Sequence, residues 1–179
     1  MNGQSFSLQP FSPDTLLPDL TITGHIARRG HTLAIRYALR GSLAELAIPA
    51  AVDRPARQHG LWEETCFEFF LAIKDSPRYW EFNLSPAGHW NVYGFQAYRQ
   101  GMEEEKAFRS LPFSVQRRLD SLLLALKFDL AGIVRAEQAI EVGIAAVIKL
   151  RDREVTYWAL THPGPQADFH RRDSFIIEL

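Results

Sequence analysis

Apolar and polar side chains alternate at every second position along much of this chain. In residues 65–73, Phe67, Phe69 and Leu71 share one face of an extended segment, whereas Glu68 lies on the opposite face. Alternation with a period of two is typical of β-strands that bury one face. Segments with this pattern, separated by Gly, Pro and other turn residues, predict strands at residues 20–26, 31–40, 65–73, 79–85, 89–95, 121–128, 141–149, 155–160 and 173–179.

Residues 98–108 and 130–138 are the two candidate helices of this sequence. Both segments are short, and the first has no convincing apolar stripe at helical spacing. Because no long helix alternates with the strands, a parallel α/β sheet is disfavoured. We therefore expect an all-β fold, an antiparallel β-sandwich of the jelly-roll or immunoglobulin-like kind with one or two short helices, formed as a single domain over residues 1–179.

The composition narrows the classes of function. Of the 179 residues, 46% are hydrophobic and 23% are charged, which is enough apolar material for a core. The formal net charge is −1, so there is no basic excess that would favour a nucleic-acid partner. The single cysteine, Cys66, excludes a disulfide within the chain. With no visible export signal and no apolar stretch of bilayer length, we expect no membrane partner and a cytoplasmic location.

Motifs for several common chemistries do not occur in the sequence. It has no glycine-rich phosphate loop, no HExxH, no paired CxxC and no GxSxG. Its six histidines do not fall at metal-ligand spacing on one expected element. The acidic neighbours of Cys66 would raise the pKa of its thiol, which disfavours a nucleophile. We therefore expect no metal, no cofactor and no catalytic cysteine.

Two successive predicted strands, the third and the fourth, combine polar and aromatic residues. One face of each strand is wholly apolar, and the other carries Glu68 on the third strand and Glu81, Asn83 and Ser85 on the fourth. If the strands pair, these polar side chains share one outer surface. Carboxylates, an amide and a hydroxyl beside aromatic rings suit a polyol, whose hydroxyls need donors and acceptors. A merely solvated polar face is the alternative interpretation.

Two motifs and the end of the chain carry a family resemblance. The motifs are WEETCFEFF at residues 62–70 and YWEFNLSPAG at residues 79–88, and the closing segment is ADFHRRDSFIIEL at residues 167–179. Together they resemble the DOMON-like superfamily. More narrowly, they are similar to the family 9 carbohydrate-binding modules and their cytosolic relatives. The resemblance covers roughly residues 20–179, and strand order alone supports it in the N-terminal half.

The resemblance implies a β-sandwich that holds a sugar between two aromatic rings. Trp62 matches the first ring, and Phe169 stands where the family has its second ring, normally a tryptophan. Glu68 matches a carboxylate that binds sugar hydroxyls. Asn83 and Ser85 stand where the family places polar ligand contacts, one of which is usually an arginine.

The sequence therefore predicts a non-catalytic module that binds a small ligand, a sugar or a related polar metabolite. His170 and Arg171 follow the second ring and are expected at the mouth of the pocket. One alternative is a sugar-active enzyme that uses Glu68 and Glu81 as paired carboxyl groups. Another is a protein-interaction domain without a small ligand, whose partner would be another protein.

Overall fold

The computed structural model describes residues 2–12, 19–152 and 154–179 of the chain. Its strands are β1 (Asn2–Ser7), β2 (Gln9–Pro10), β3 (Thr21–Arg29), β4 (Thr32–Arg40), β5 (Cys66–Ile73), β6 (Tyr79–Leu84), β7 (Trp90–Phe95), β8 (Glu103–Glu104), β9 (Phe113–Arg117), β10 (Ser121–Asp129), β11 (Ile140–Lys149), β12 (Val155–Ala159) and β13 (Ile177–Glu178). Single turns of 3-10 helix lie at Leu43–Glu45, Leu61–Glu63 and Arg172–Ser174.

The strands form two antiparallel sheets that pack on each other as a β-sandwich. The smaller sheet has the strand order β1-β3-β4-β10-β9. The larger sheet has the order β2-β12-β11-β5-β6-β7-β8, and β13 pairs with β11. The all-β antiparallel sandwich predicted from the period-two pattern is therefore confirmed.

The inner faces of both sheets meet in one apolar core. Phe67, Phe69 and Leu71 of β5 are fully buried there, and Ile35 of β4 joins the same cluster from the smaller sheet. Phe69 stacks on Phe82 of β6, with ring centroids 4.3 Å apart. Each such side chain contributes about 1.5–3 kcal/mol by leaving water. A one-residue slip of β5 would turn its polar face into this core, so the burial also sets the register.

The outer face of the larger sheet is also largely covered. A second apolar cluster lies there, made of Phe70, Ala72, Tyr79, Tyr93, Phe95, Ala145, Ala159 and Phe175. The segment that follows β12 brings Phe175 close to β11, and a Cβ at Gly143 would lie 2.7 Å from the Phe175 ring. Glycine is therefore required where this side chain approaches the strand. Because both faces of β6 are covered, all of its residues are buried.

The expectation of one or two short helices is wrong. Residues 98–108 contain a tight turn, in which the Gln100 amide donates to the Ala97 carbonyl, and then β8, which pairs with β7. Residues 130–138 form separate turns, so their backbone hydrogen bonds do not propagate into a helix. No helix in the described part of the chain is long and apolar enough to cross a membrane.

The predicted last strand is shorter than its alternating pattern indicated. Of residues 173–179, Ile177–Glu178 pairs with β11. The preceding 3-10 turn at Arg172–Ser174 redirects the chain, and Phe175 packs on the outer face instead of extending the sheet.

Candidate functional site

A cavity of about 470 Å³ opens on the outer face of the larger sheet. This volume lies within the range of about 300–1,000 Å³ that is typical of small-molecule sites. The lining residues come from β5, β6, β7, β11, β12, the turns after Gly60 and after β7, and the C-terminal segment: Trp62, Glu68, Phe70, Glu81, Phe95, Arg99, Met102, Val147, Tyr157, Ala167, Phe169 and His170.

The floor of the cavity carries two carboxyl groups on neighbouring strands. Glu68 on β5 pairs in register with Asn83 on β6, and Glu81 on β6 pairs with Phe70 on β5. The two glutamates are therefore diagonal neighbours on one face, at strand positions roughly 7–8 Å apart. Glu68 is 3% exposed and Glu81 is 5% exposed. Both carboxyls thus share a poorly solvated environment in which charge is costly.

The Glu68 carboxyl lacks a complete set of hydrogen-bond partners. Its Oε1 atom is buried, and no described residue forms a hydrogen bond with it. Burial raises the pKa of Glu68 well above its ordinary value, and the charge of Glu81 raises it further. A buried oxygen without a hydrogen-bond partner costs free energy. The Glu68 side chain lines the cavity, so its carboxyl is an acceptor group at the cavity floor.

The Glu81 carboxyl is held on one side only. Asn83 donates its Nδ2–H to Glu81 Oε1 at 2.8 Å. Burial raises the pKa of Glu81 to about 7, while the Asn83 hydrogen bond and the positive charge of Arg99 act in the opposite direction. The pair of carboxyls therefore keeps a proton up to near-neutral pH, because two adjacent buried carboxylates repel each other.

His170 lies above Glu81 and is neutral near pH 7. Burial lowers the pKa of His170 to about 4, and the charge of Arg99 lowers it as well. The Nε2 atom of His170 is 3.7 Å from Glu81 Oε2, so this contact joins a neutral ring to the carboxyl and is not an ion pair. On its other side, His170 Nδ1 is 2.8 Å from the Tyr79 hydroxyl. When that hydroxyl donates to Nδ1, the ring proton lies on Nε2 and faces Glu81.

Arg99 is a cavity residue that the sequence analysis missed. It lies in the tight turn after β7 with a φ of 52°, and its backbone N–H donates to the Tyr79 hydroxyl at 3.1 Å. Its guanidinium donates to Asp168 Oδ1 at 2.8 Å, and the Tyr98 hydroxyl donates to the other oxygen of the same carboxylate. Asp168 therefore joins the turn after β7 to the C-terminal segment that carries His170.

Aromatic rings stand on two sides of the carboxyl pair. Trp62 packs against Tyr93 of β7, with ring centroids 5.8 Å apart. Phe169 packs against Phe70 of β5 at 6.4 Å and against Tyr157 of β12 at 6.1 Å. Trp62 and Phe169 thus rest on strands that lie at different sides of the sheet, and both line the same cavity.

Five of the eight predicted site residues line this cavity, and three do not. The five are Trp62, Glu68, Glu81, Phe169 and His170. Asn83 is fully buried beneath the cavity and acts on it through Glu81. The Ser85 hydroxyl accepts the Ala87 amide in the turn after β6. Arg171 turns outward and pairs with Asp173 at 2.6 Å.

The other residues that the sequence analysis missed belong either to strands or to connecting segments. Phe95 and Tyr157 follow the alternating pattern of β7 and β12, and strand pairing was needed to show that they share the face of Glu68. Met102 and Ala167 lie in connecting segments whose positions follow from tertiary contacts. Across residues 2–12, 19–152 and 154–179, no group of three or more His, Cys, Asp or Glu side chains is arranged to hold a metal ion.

Comparison with solved structures supports the fold. A proposed carbohydrate-binding protein from Bacteroides uniformis superposes with a TM-score of 0.72 at 16% identity, over 96% of this chain and 83% of that chain. A family 9 carbohydrate-binding module from Caldicellulosiruptor kristjanssonii, solved in complex with glucose, gives a TM-score of 0.53 at 9% identity, over 89% of this chain and 75% of that chain. No protein-family model matches the sequence, and no curated protein sequence matches it.

Proposed function

We propose that this protein is a non-catalytic binding module for a sugar or a closely related polar metabolite. The observation that carries the proposal is the cavity of about 470 Å³, in which aromatic walls flank two buried carboxyl groups. Aromatic rings cover the apolar faces of a sugar ring, and carboxyl oxygens accept hydrogen bonds from its hydroxyls. Trp62 and Phe169 supply the walls in this proposal, and Glu68 and Glu81 supply the acceptors.

Both the aromatic walls and the carboxyl groups at the floor must contribute to the free energy of binding. If a ligand covers about 200 Å² of apolar surface on the rings, burial contributes roughly 5 kcal/mol at about 25 cal/mol per Å². The loss of rigid-body freedom costs at least about 4 kcal/mol. Each hydrogen bond to a charged carboxylate contributes about 1.5–3 kcal/mol. Micromolar affinity, about −8 kcal/mol, therefore needs the carboxyl groups as well as the rings.

The fold comparison agrees with this proposal. The structurally similar family 9 module from Caldicellulosiruptor kristjanssonii was solved in complex with glucose, so glucose is a suitable first probe. Trp62, Glu68 and Phe169, which the resemblance assigns to sugar binding, all line this cavity, and this supports the proposal.

Isothermal titration calorimetry with glucose and a panel of mono- and disaccharides tests the proposal. Trp62→Ala should weaken the binding of the best sugar by about tenfold or more, since the ring area is lost. Leu119→Ala is the matched control, because Leu119 is 96% exposed and does not line the cavity. If no sugar binds the wild-type protein, or if Trp62→Ala folds and keeps full affinity, the proposal is wrong.

The carboxyl pair also supports a second candidate function, a sugar-active enzyme. Burial raises the pKa of Glu81 to about 7, which is the range of a general acid at neutral pH. Turnover of a glycoside that is abolished in Glu81→Gln, with the fold intact, would favour catalysis over simple binding. The protein-interaction domain remains a prediction from the sequence.

A further inference from the structure

The carboxyl pair in the cavity lacks a cation. Among the residues that the structure describes, Glu68 Oε1 has no hydrogen-bond partner, and Glu81 Oε2 lies 3.7 Å from the neutral ring of His170. Neighbouring buried carboxylates are stable only when a proton or another positive charge compensates them. Such a charge could come only from a basic side chain of the cavity lining, a proton or a ligand.

Arg99 is the one guanidinium or ammonium group among the residues that line the cavity, and it is already paired. Its Nη2 donates to Asp168 Oδ1 at 2.8 Å, and its side chain is 52% exposed. The other basic side chain of the lining, His170, is neutral near pH 7, because its pKa is lowered to about 4. A proton on one of the two carboxyl groups, Glu68 or Glu81, is thus the remaining compensation.

The aromatic walls of the cavity, like the carboxyl pair, are suited to a positively charged group on a ligand. Trp62, Phe70, Phe95, Tyr157 and Phe169 present aromatic rings around the carboxyl pair. The faces of aromatic rings attract cations, and the attraction grows when the cation leaves bulk water. Aromatic walls combined with unpaired carboxyl oxygens form a site that is complementary to an ammonium group on a ligand with apolar ring faces.

From this juxtaposition we infer that the ligand is an amine-bearing sugar, whose protonated amine binds between Glu68 and Glu81. The inference rests on the sugar-binding function proposed above and specifies its ligand class. An ammonium group offers three N–H donors and one positive charge, so it can bind the Glu68 carboxyl and Glu81 Oε2 and replace the proton on the carboxyl pair. A sugar hydroxyl offers one donor and no charge, so it cannot replace the proton on the carboxyl pair.

Calorimetry with three probes, glucosamine, glucose and N-acetylglucosamine, tests the inference at about pH 6. We expect glucosamine to bind at least about tenfold more tightly than glucose, and N-acetylglucosamine to lose this advantage because acetylation removes the charge. Repeating the glucosamine titration in buffers of different ionisation enthalpy should show a proton released on binding. This second readout needs no variant.

Glu68→Gln keeps the size of the side chain and removes its charge. In this variant the preference for glucosamine over glucose should fall to about threefold or less, whereas Glu64→Gln, which changes an exposed carboxyl outside the cavity, should leave the preference unchanged. If glucose binds as tightly as glucosamine, the inference is overturned and the sugar-binding proposal stands. If none of the three probes binds but another sugar of the panel does, the inference alone is overturned; if no sugar of the panel binds either, both are overturned.

Discussion

The buried carboxyl of Glu81 makes the stability of the protein fall as the pH rises. Its pKa is about 7 in the folded protein, against an ordinary value of 4.5, because burial penalises the charged form. Between these two pH values the folded state holds more protons than the unfolded state. By linkage, the free energy of unfolding therefore decreases from about pH 4.5 upward, and the full loss is present above pH 7.

The size of this effect follows from the two pKa values of Glu81. One pKa unit corresponds to about 1.4 kcal/mol. The difference between the two pKa values therefore corresponds to a loss of about 3 kcal/mol in the free energy of unfolding. Glu81→Gln removes the ionisation but keeps an oxygen that can accept the Asn83 hydrogen bond. It also removes the charge that raises the pKa of Glu68, which acts in the same direction.

Urea unfolding of wild type and Glu81→Gln at about pH 4 and about pH 8 measures the effect. Relative to wild type, the variant should gain about 3 kcal/mol of stability between the two pH values, and Glu64→Gln, an exposed control, should gain little. A gain for Glu81→Gln of less than about 0.5 kcal/mol would refute the argument that burial controls this carboxyl.

Three further outcomes are expected. Gly143→Ala should destabilise the protein by about 1–3 kcal/mol in urea unfolding, because the new Cβ would meet the Phe175 ring; an unchanged midpoint would contradict this. In an NMR titration the His170 ring should stay neutral down to about pH 4, and a midpoint near 6.5 would show that it is not buried. Asp168→Asn leaves the Arg99 charge uncompensated near Glu81, so glucosamine binding in calorimetry should weaken by about threefold and glucose binding should change less.

The period-two pattern was sufficient to predict which side chains share a face. Glu68 and Glu81 were placed together on one outer surface because alternation in β5 and β6 leaves only two faces. The pairing register, which makes them diagonal neighbours, depends on the turn between the strands and on core packing, and so it could not be derived from either strand alone.

Arg99 shows why part of the site was missed. Its segment was predicted as a helix, whereas the chain forms a tight turn in which Arg99 adopts a positive φ. Its position depends on a contact with Asp168, 69 residues away in the sequence, and local propensity carries no information on such a contact. Arg171 was expected at the mouth of the pocket but does not line the cavity, because its guanidinium pairs with Asp173, two residues away in the sequence.

Glu68, at the floor of the cavity, belongs to β5, which is packed on both faces. This packing limits how far the protein can change when a ligand binds. Glu68 lies between Phe67 and Phe69, which the inner core immobilises, so the backbone that carries its carboxyl is fixed before a ligand binds. Little backbone entropy therefore remains to be lost at the floor on binding. Free and occupied forms should therefore share one backbone, with adjustment confined to half-exposed rim side chains such as Met102 and Tyr157.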